Sequence, residues 1–170
     1  GEGQTIPKEH KTLGETLRKN GYFAYGTGKW HNGPPAFTRS FDMGNEIFFG
    51  GMWDHWNVPT NYYDPTGEYD NMINFVGNFG KSNEVTKVHC DKFNPGKHSS
   101  ELLAETSACF IDEYREEKPF FLYTAFWHPM IQEPCRKNIK DYMIRRKFHC
   151  PLILHPIRLS LEFRIYEMKS

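Results

Sequence analysis

Thr12-Leu13-Gly14-Glu15-Thr16-Leu17-Arg18-Lys19-Asn20-Gly21-Tyr22-Phe23-Ala24-Tyr25-Gly26-Thr27-Gly28-Lys29-Trp30-His31 carries the fold in outline. Thr12 and Glu15 have capping-box spacing, Leu13 and Leu17 share a face at i, i+4, and Gly21 is a C′ stop. Tyr22 to Tyr25 reads as a buried strand and the glycines after it as a loop. Helix, then strand, then glycine-rich loop is an α/β pattern, which places ligand-binding loops at the carboxyl ends of its strands. Gly26 and Gly28 permit positive φ and close approach of backbone to a ligand. Lys29 and His31, two apart on an extended segment, project from one face. Together they can grip one anion, the Lys as a point charge and the His as a donor or proton carrier. The plain alternative for any such run is a strand end with incidental polar residues.

Around this stretch lies a chain of 170 residues with zero formal net charge. That length can hold one domain with a core, and the charge balance leaves no nucleic-acid footprint. No apolar run reaches the length of a membrane span. The chain holds 14 Phe, 9 Tyr and 4 Trp, which serve either a core or carbohydrate stacking. Cys90, Cys109, Cys135 and Cys150 form neither a CxxC pair nor a zinc spacing.

Downstream, residues 32–80 are rich in Gly, Pro, Asn and aromatics with little periodicity, and read as a long insertion lining one wall of a cleft. Asp54, His55 and Trp56 are its candidates for substrate contact, Trp56 as a sugar-stacking plane and the other two for hydroxyls or charge. The equal alternative is that Asp54 and His55 hold the loop together. Residues 81–97 read as a polar loop with Lys92 and Lys97 solvated. A helix is predicted from about 98 to 117, capped by a Ser, with Leu102, Thr106, Phe110 and Tyr114 on one stripe. Phe120 to Phe126 is a near-continuous apolar run that fits a central parallel strand buried on both faces.

Thr12 to Tyr22, followed by Gly28-Lys29-Trp30-His31, resembles the T-L-A-E-x-L-K-x-x-G-Y … G-K-W-H run of the formylglycine-dependent sulfatases, of the alkaline-phosphatase superfamily. Pro119-Phe120-Phe121-Leu122-Tyr123-Thr124-Ala125-Phe126 is similar to their K-P-F-F-L-Y-x-A-F strand, whose usual continuation is x-A-P-H-D-P. Between them, Phe41-Asp42-x-Gly44 and Gly50-Gly51-Met52-Trp53-Asp54-His55-Trp56-Asn57 resemble a bacterial branch. The resemblance covers residues 5–126. It implies part of an N-terminal catalytic domain, α/β, with a mainly parallel sheet flanked by helices. The implied reaction is hydrolysis of a sulfate ester, of a sulfated glycan or an aryl sulfate. A formylglycine hydrate would attack sulfur, with a divalent cation, usually calcium, on the sulfate oxygens. Lys29 matches the family's sulfate-binding lysine and His31 the histidine beside the formylglycine, while Trp30 packs behind the loop. The metal ligands expected of the family match no residue here. The nucleophile motif C/S-x-P-x-R fits none of the four cysteines, so the isolated chain is expected to be inactive. The family also implies a periplasmic, secreted or lysosome-like parent. A phosphoesterase of the same superfamily, or a non-catalytic glycan-binding module using Trp53 and Trp56, are the competing readings.

After Phe126 the character changes. Residues 1–126 carry 12 Lys and Arg against 17 Asp and Glu, and residues 127–170 carry 9 against 4. Trp127-His128-Pro129-Met130-Ile131-Gln132-Glu133-Pro134 can be encoded so that restoring one nucleotide yields M-A-P-H-D-P, the family continuation. Residues 127–170 are therefore expected to be a frame-shifted tail, and His128 is not carried over as the family's histidine.

Overall fold

The capping box forms as the sequence predicts. In the computed structural model, which describes residues 5–78 and 80–126, Thr12 Oγ1 accepts from Glu15 N at 3.2 Å and Glu15 Oε2 accepts from Thr12 N at 2.8 Å. These bonds satisfy two of the amides that a helix start leaves orphaned. The helix they open, α1 (Leu13–Lys19), ends at Asn20, and Gly21 takes φ +86°. The tail 127–170 read from the sequence lies outside the described residues.

Strand β1 (Phe23–Lys29) follows, longer than the sequence indicates. Gly26 and Gly28, read as a loop, stay in the strand because only glycine fits there. A Cβ on Gly26 would meet the Phe37 ring at 2.7 Å, and one on Gly28 would meet Ala125 O at 2.2 Å. Residues 32–80 are not one irregular insertion. They form α2 (Pro34–Ser40), β2 (Met43–Phe48), β3 (Asn57–Thr60) and β4 (Met72–Phe75). Each element is short, so no period had room to build up. The polar stretch 81–97 likewise holds β5 (Thr86–His89) and β6 (Lys92–Pro95), which pair with β4 and β3 as two small antiparallel ribbons. Helix α3 (Ser99–Glu113) takes its N-cap from His98, not a Ser, and β7 (Phe120–Ala125) closes the series.

The central sheet is parallel with order β2-β1-β7. One face of β1 is set by Ala24, Gly26 and Trp30, which meet Phe37 and Phe41 of α2 and its C-cap, with Phe121 and Tyr123 of β7 alongside. The other face carries Phe23 and Tyr25, which stack on Phe110 of α3. A sheet between helices is thus built from period-two alternation in β1. β7 is half-buried rather than buried on both faces, because among the described residues it pairs only with β1. Arg18 fastens α1 to the turn before β2 through Asp42 at 2.7 Å, and Asp42 also accepts from Ala24 N at 2.9 Å. No helix among the described residues is long and apolar enough to cross a membrane.

Candidate active site at the carboxyl end of the central strand

β1 is the middle strand of the parallel sheet, with β2 on one side and β7 on the other. The crevice outside such a strand's carboxyl end is where open α/β sheets bind ligands. Lys29 is the last residue of β1 and stands at that point, half-buried, with Nζ donating to Gly51 O at 2.7 Å. His31 follows on the surface and makes no hydrogen bond or ion pair among the described residues. Trp30 between them is 7 % exposed, donates Nε1–H to Gly33 O at 2.9 Å and meets Phe37, Phe41 and Tyr123 edge-on. It packs behind the loop, as the sequence indicates. Its burial fixes the backbone on which Lys29 and His31 sit.

Gly51 joins Lys29 to the other predicted residues. The segment from Gly50 to Asn57 leaves the end of β2 and docks on the start of α3. Asp54 Oδ1 accepts from Trp56 N at 2.9 Å, closing a turn. His55 Nδ1 lies 2.6 Å from Ser99 Oγ, and the His55 ring stacks on His98 at 5.2 Å. Trp56 meets His98 edge-on at 5.1 Å yet stays 52 % exposed. Asp54 and His55 thus make bonds within and beneath the loop, while about half of the Trp56 surface stays exposed. The structure links Lys29 with this loop through the Gly51 carbonyl.

Two features were not singled out from the sequence. The first is the Thr27 hydroxyl, fully buried two residues before Lys29 and without a hydrogen-bond partner among the described residues. Its register neighbour Thr124 shares its own hydroxyl with Ser107 of α3 at 2.7 Å. The second is Glu46, at 4 % exposure and φ +51°, which bulges out of β2 where the register with β1 shifts. Its carboxylate accepts from Lys92 Nζ at 2.5 Å and Thr60 Oγ1 at 2.7 Å. Burial alone would lower the Lys92 ammonium, but the hydrogen bond and charge of Glu46 outweigh it and hold it above its ordinary value. Lys92 is thus paired, not solvated. Burial, with Glu46 nearby, pushes the Tyr25 phenol well above the usual tyrosine range. Neither Thr27 nor Glu46 has a local signature, since both depend on which strands become neighbours.

Among the described residues no three His, Cys, Asp or Glu side chains converge to hold a metal ion. Among the described residues the carboxylates are not gathered as a calcium site requires, and the C/S-x-P-x-R motif does not occur in the 170 residues.

A family model described as Sulfatase matches residues 2–135. No curated protein matches the chain.

Proposed function

The chain belongs to the sulfatase family, a family of sulfate-ester hydrolases, and from that premise we propose that it forms the sulfate-gripping wall of such a hydrolase's cleft. The observation that carries the reading is Lys29 at the carboxyl end of β1, half-buried and braced by the Gly51 carbonyl. A braced ammonium loses little rotamer freedom on meeting an anion, and it stands at the carboxyl end of a parallel strand, where open α/β sheets bind ligands. Lys29 neutralises the sulfuryl oxygens. His31, exposed beside it, carries a proton for the reacting ester. The exposed Trp56 face suits a sugar ring, so the substrate in this reading is a sulfated glycan.

Turnover is a different matter. The sequence supplies no nucleophile motif, and among the described residues no three His, Cys, Asp or Glu side chains converge. In this reading the chain by itself binds sulfate esters and does not hydrolyse them, and residues 127–170 are read out of frame.

The test is a titration of the 170-residue chain with 4-nitrophenyl sulfate, following the His31 imidazole by NMR and release of nitrophenol by absorbance. The ester should shift the imidazole without releasing nitrophenol, and Lys29→Met should abolish the shift. Preference for 4-nitrophenyl phosphate would favour a phosphoesterase. Binding of a sulfated oligosaccharide that survives Lys29→Met but not Trp56→Ala would favour a glycan-binding module.

A further inference from the structure

Beyond its bridge to Ile47, Asn61 leads into a fold-back through residues 62–71 that lies away from the Lys29 loop in sequence. Most polar groups there are used internally. Asp64 accepts from Thr66 N at 2.8 Å and Tyr69 N at 2.9 Å, and these bonds hold its carboxyl below the usual range. Tyr63 turns its hydroxyl inward to Phe41 O at 2.9 Å. What remains at the surface is a cavity of about 230 Å³, with Tyr62, Tyr69, Asp70, Asn71 and Asp91 in its lining. That is smaller than the roughly 300–1,000 Å³ of sites for drug-sized ligands, and suits a single ring.

Tyr62 is the notable member. The residue is 51 % exposed, yet its backbone N–H is fixed to Asp91 Oδ2 at 2.8 Å. The Lys92 ammonium, itself held by buried Glu46, sits 4.9 Å from the ring centroid. The ring is therefore an already ordered plane, which lowers the entropy cost of stacking on it. Asn71 Nδ2 is committed to Asp91, which orients the amide. The Asp70 carboxylate makes no hydrogen bond or ion pair among the described residues. An unspent acceptor and an oriented amide thus stand beside an exposed aromatic plane.

This combination discriminates among ligand classes. A metal ion finds no convergent set of three ligands among the described residues. A sulfated or uronic ring meets Asp64, Asp70 and Asp91, and the Lys92 cation is spent on Glu46. A neutral pyranose has an apolar C–H face for Tyr62 and hydroxyls for Asp70 and Asn71. We infer that Tyr62, Asp70, Asn71 and Asp91 form a binding site for a neutral, unsulfated pyranose residue of a glycan chain. The site stands on its own residues and does not depend on the role given to Lys29.

The test uses the 170-residue chain with cellohexaose, mannohexaose and galactohexaose, followed by saturation-transfer NMR and calorimetry. At least one should bind saturably in the millimolar range. Tyr62→Ala should weaken it at least tenfold, about 1.4 kcal/mol, while Tyr62→Phe, which keeps the stacking plane, stays within a few-fold. Asp70→Asn should weaken it several-fold, and it changes a surface group that no described partner depends on. Lys29→Met, which removes the anion grip, should leave neutral-sugar binding in place, so either reading can fail without the other. Absence of saturable binding to all three sugars overturns the proposal. So does binding that Tyr62→Ala leaves unchanged, or a preference at this site for a sulfated hexasaccharide.

Discussion

Gly28 is the narrowest point of the proposed site, and replacing it with alanine separates two costs that usually arrive together. Its φ of +90° is one that L side chains rarely adopt, and a Cβ there would stand 2.2 Å from Ala125 O and 2.9 Å from Ala125 C. Two other glycines isolate the parts. Gly21 has φ +86° with nothing within 4 Å of a Cβ, so Gly21→Ala carries the backbone cost alone, about 1–2 kcal/mol. Gly14 lies in α1, where a Cβ would stand 2.2 Å from Ser40 O. Gly14→Ala therefore carries a contact cost of about 1–3 kcal/mol, offset by about 1 kcal/mol of helix propensity. Gly28→Ala should cost about 2–5 kcal/mol, the sum of both terms. That is a large part of the roughly 5–15 kcal/mol that holds a domain together. Urea unfolding followed by near-ultraviolet circular dichroism reads all three, since Trp30 packs against Tyr123 of the strand that must move. Gly28→Ala no worse than Gly21→Ala would show that β7 gives way freely, and the account of a tight β1–β7 seam would be wrong. The same variant should weaken 4-nitrophenyl sulfate binding, because Lys29 is the next residue.

Three further outcomes follow from buried polar groups. Thr27→Val removes a buried hydroxyl that has no described partner, so it should leave stability unchanged or raise it by about 1 kcal/mol, whereas Thr124→Val breaks the bond to Ser107 and should lower it by about as much; thermal melts compare them. Lys92→Met leaves the Glu46 carboxylate buried and uncompensated, at a cost of about 3 kcal/mol, the low end for a broken buried pair because Lys92 itself is partly exposed; Glu46→Gln added to it should recover part of the loss. Because the Lys92 value is raised, its contribution is complete below the ordinary lysine value of about 10.4 and is lost as pH rises through the raised one. Tyr25 acts in the same direction above about pH 10, so Tyr25→Phe serves as the control in alkaline unfolding. At the acid end, partial burial tends to raise the Glu15 carboxyl, but the Thr12 backbone hydrogen bond and the Arg39 charge outweigh it and lower it. Its contribution is present above about pH 4.3 and fades as pH falls through the lowered value, and Glu15→Gln should remove that part of the acid limb.

What could be read from the sequence was local. The capping box, the stop at Gly21, the strand from Phe23, the stripe on α3 and the apolar β7 each declare themselves within a few residues. Lys29 and His31 sit in that legible part, immediately after the strand. The β3 to β6 region did not declare itself, because strands of four residues show two repeats of a period at most and take their stability from neighbours far along the chain. Lys92 illustrates this: alone it is an ordinary surface lysine, and only the pairing of β3 with β6 carries it to Glu46. The N-cap of α3 was missed by one residue for a related reason. The His98 imidazole accepts from Ser100 N at 3.2 Å while stacked on His55, a partner from another loop.

The Glu46 bulge also bears on how this region can change over generations. Beside the Ile47–Asn61 bridge, the β3–β6 ribbon is tied to the central sheet by one residue held in a left-handed conformation, whose carboxylate is shared by Lys92, Thr60 and Asn94. Exchange of the ribbon between relatives, by recombination or in the laboratory, succeeds when Glu46 travels with its three partners. When it does not, the recipient inherits a negative charge sealed under a foreign loop. The Tyr62 ring, with the Lys92 ammonium 4.9 Å from its centroid, would feel such a mismatch as well.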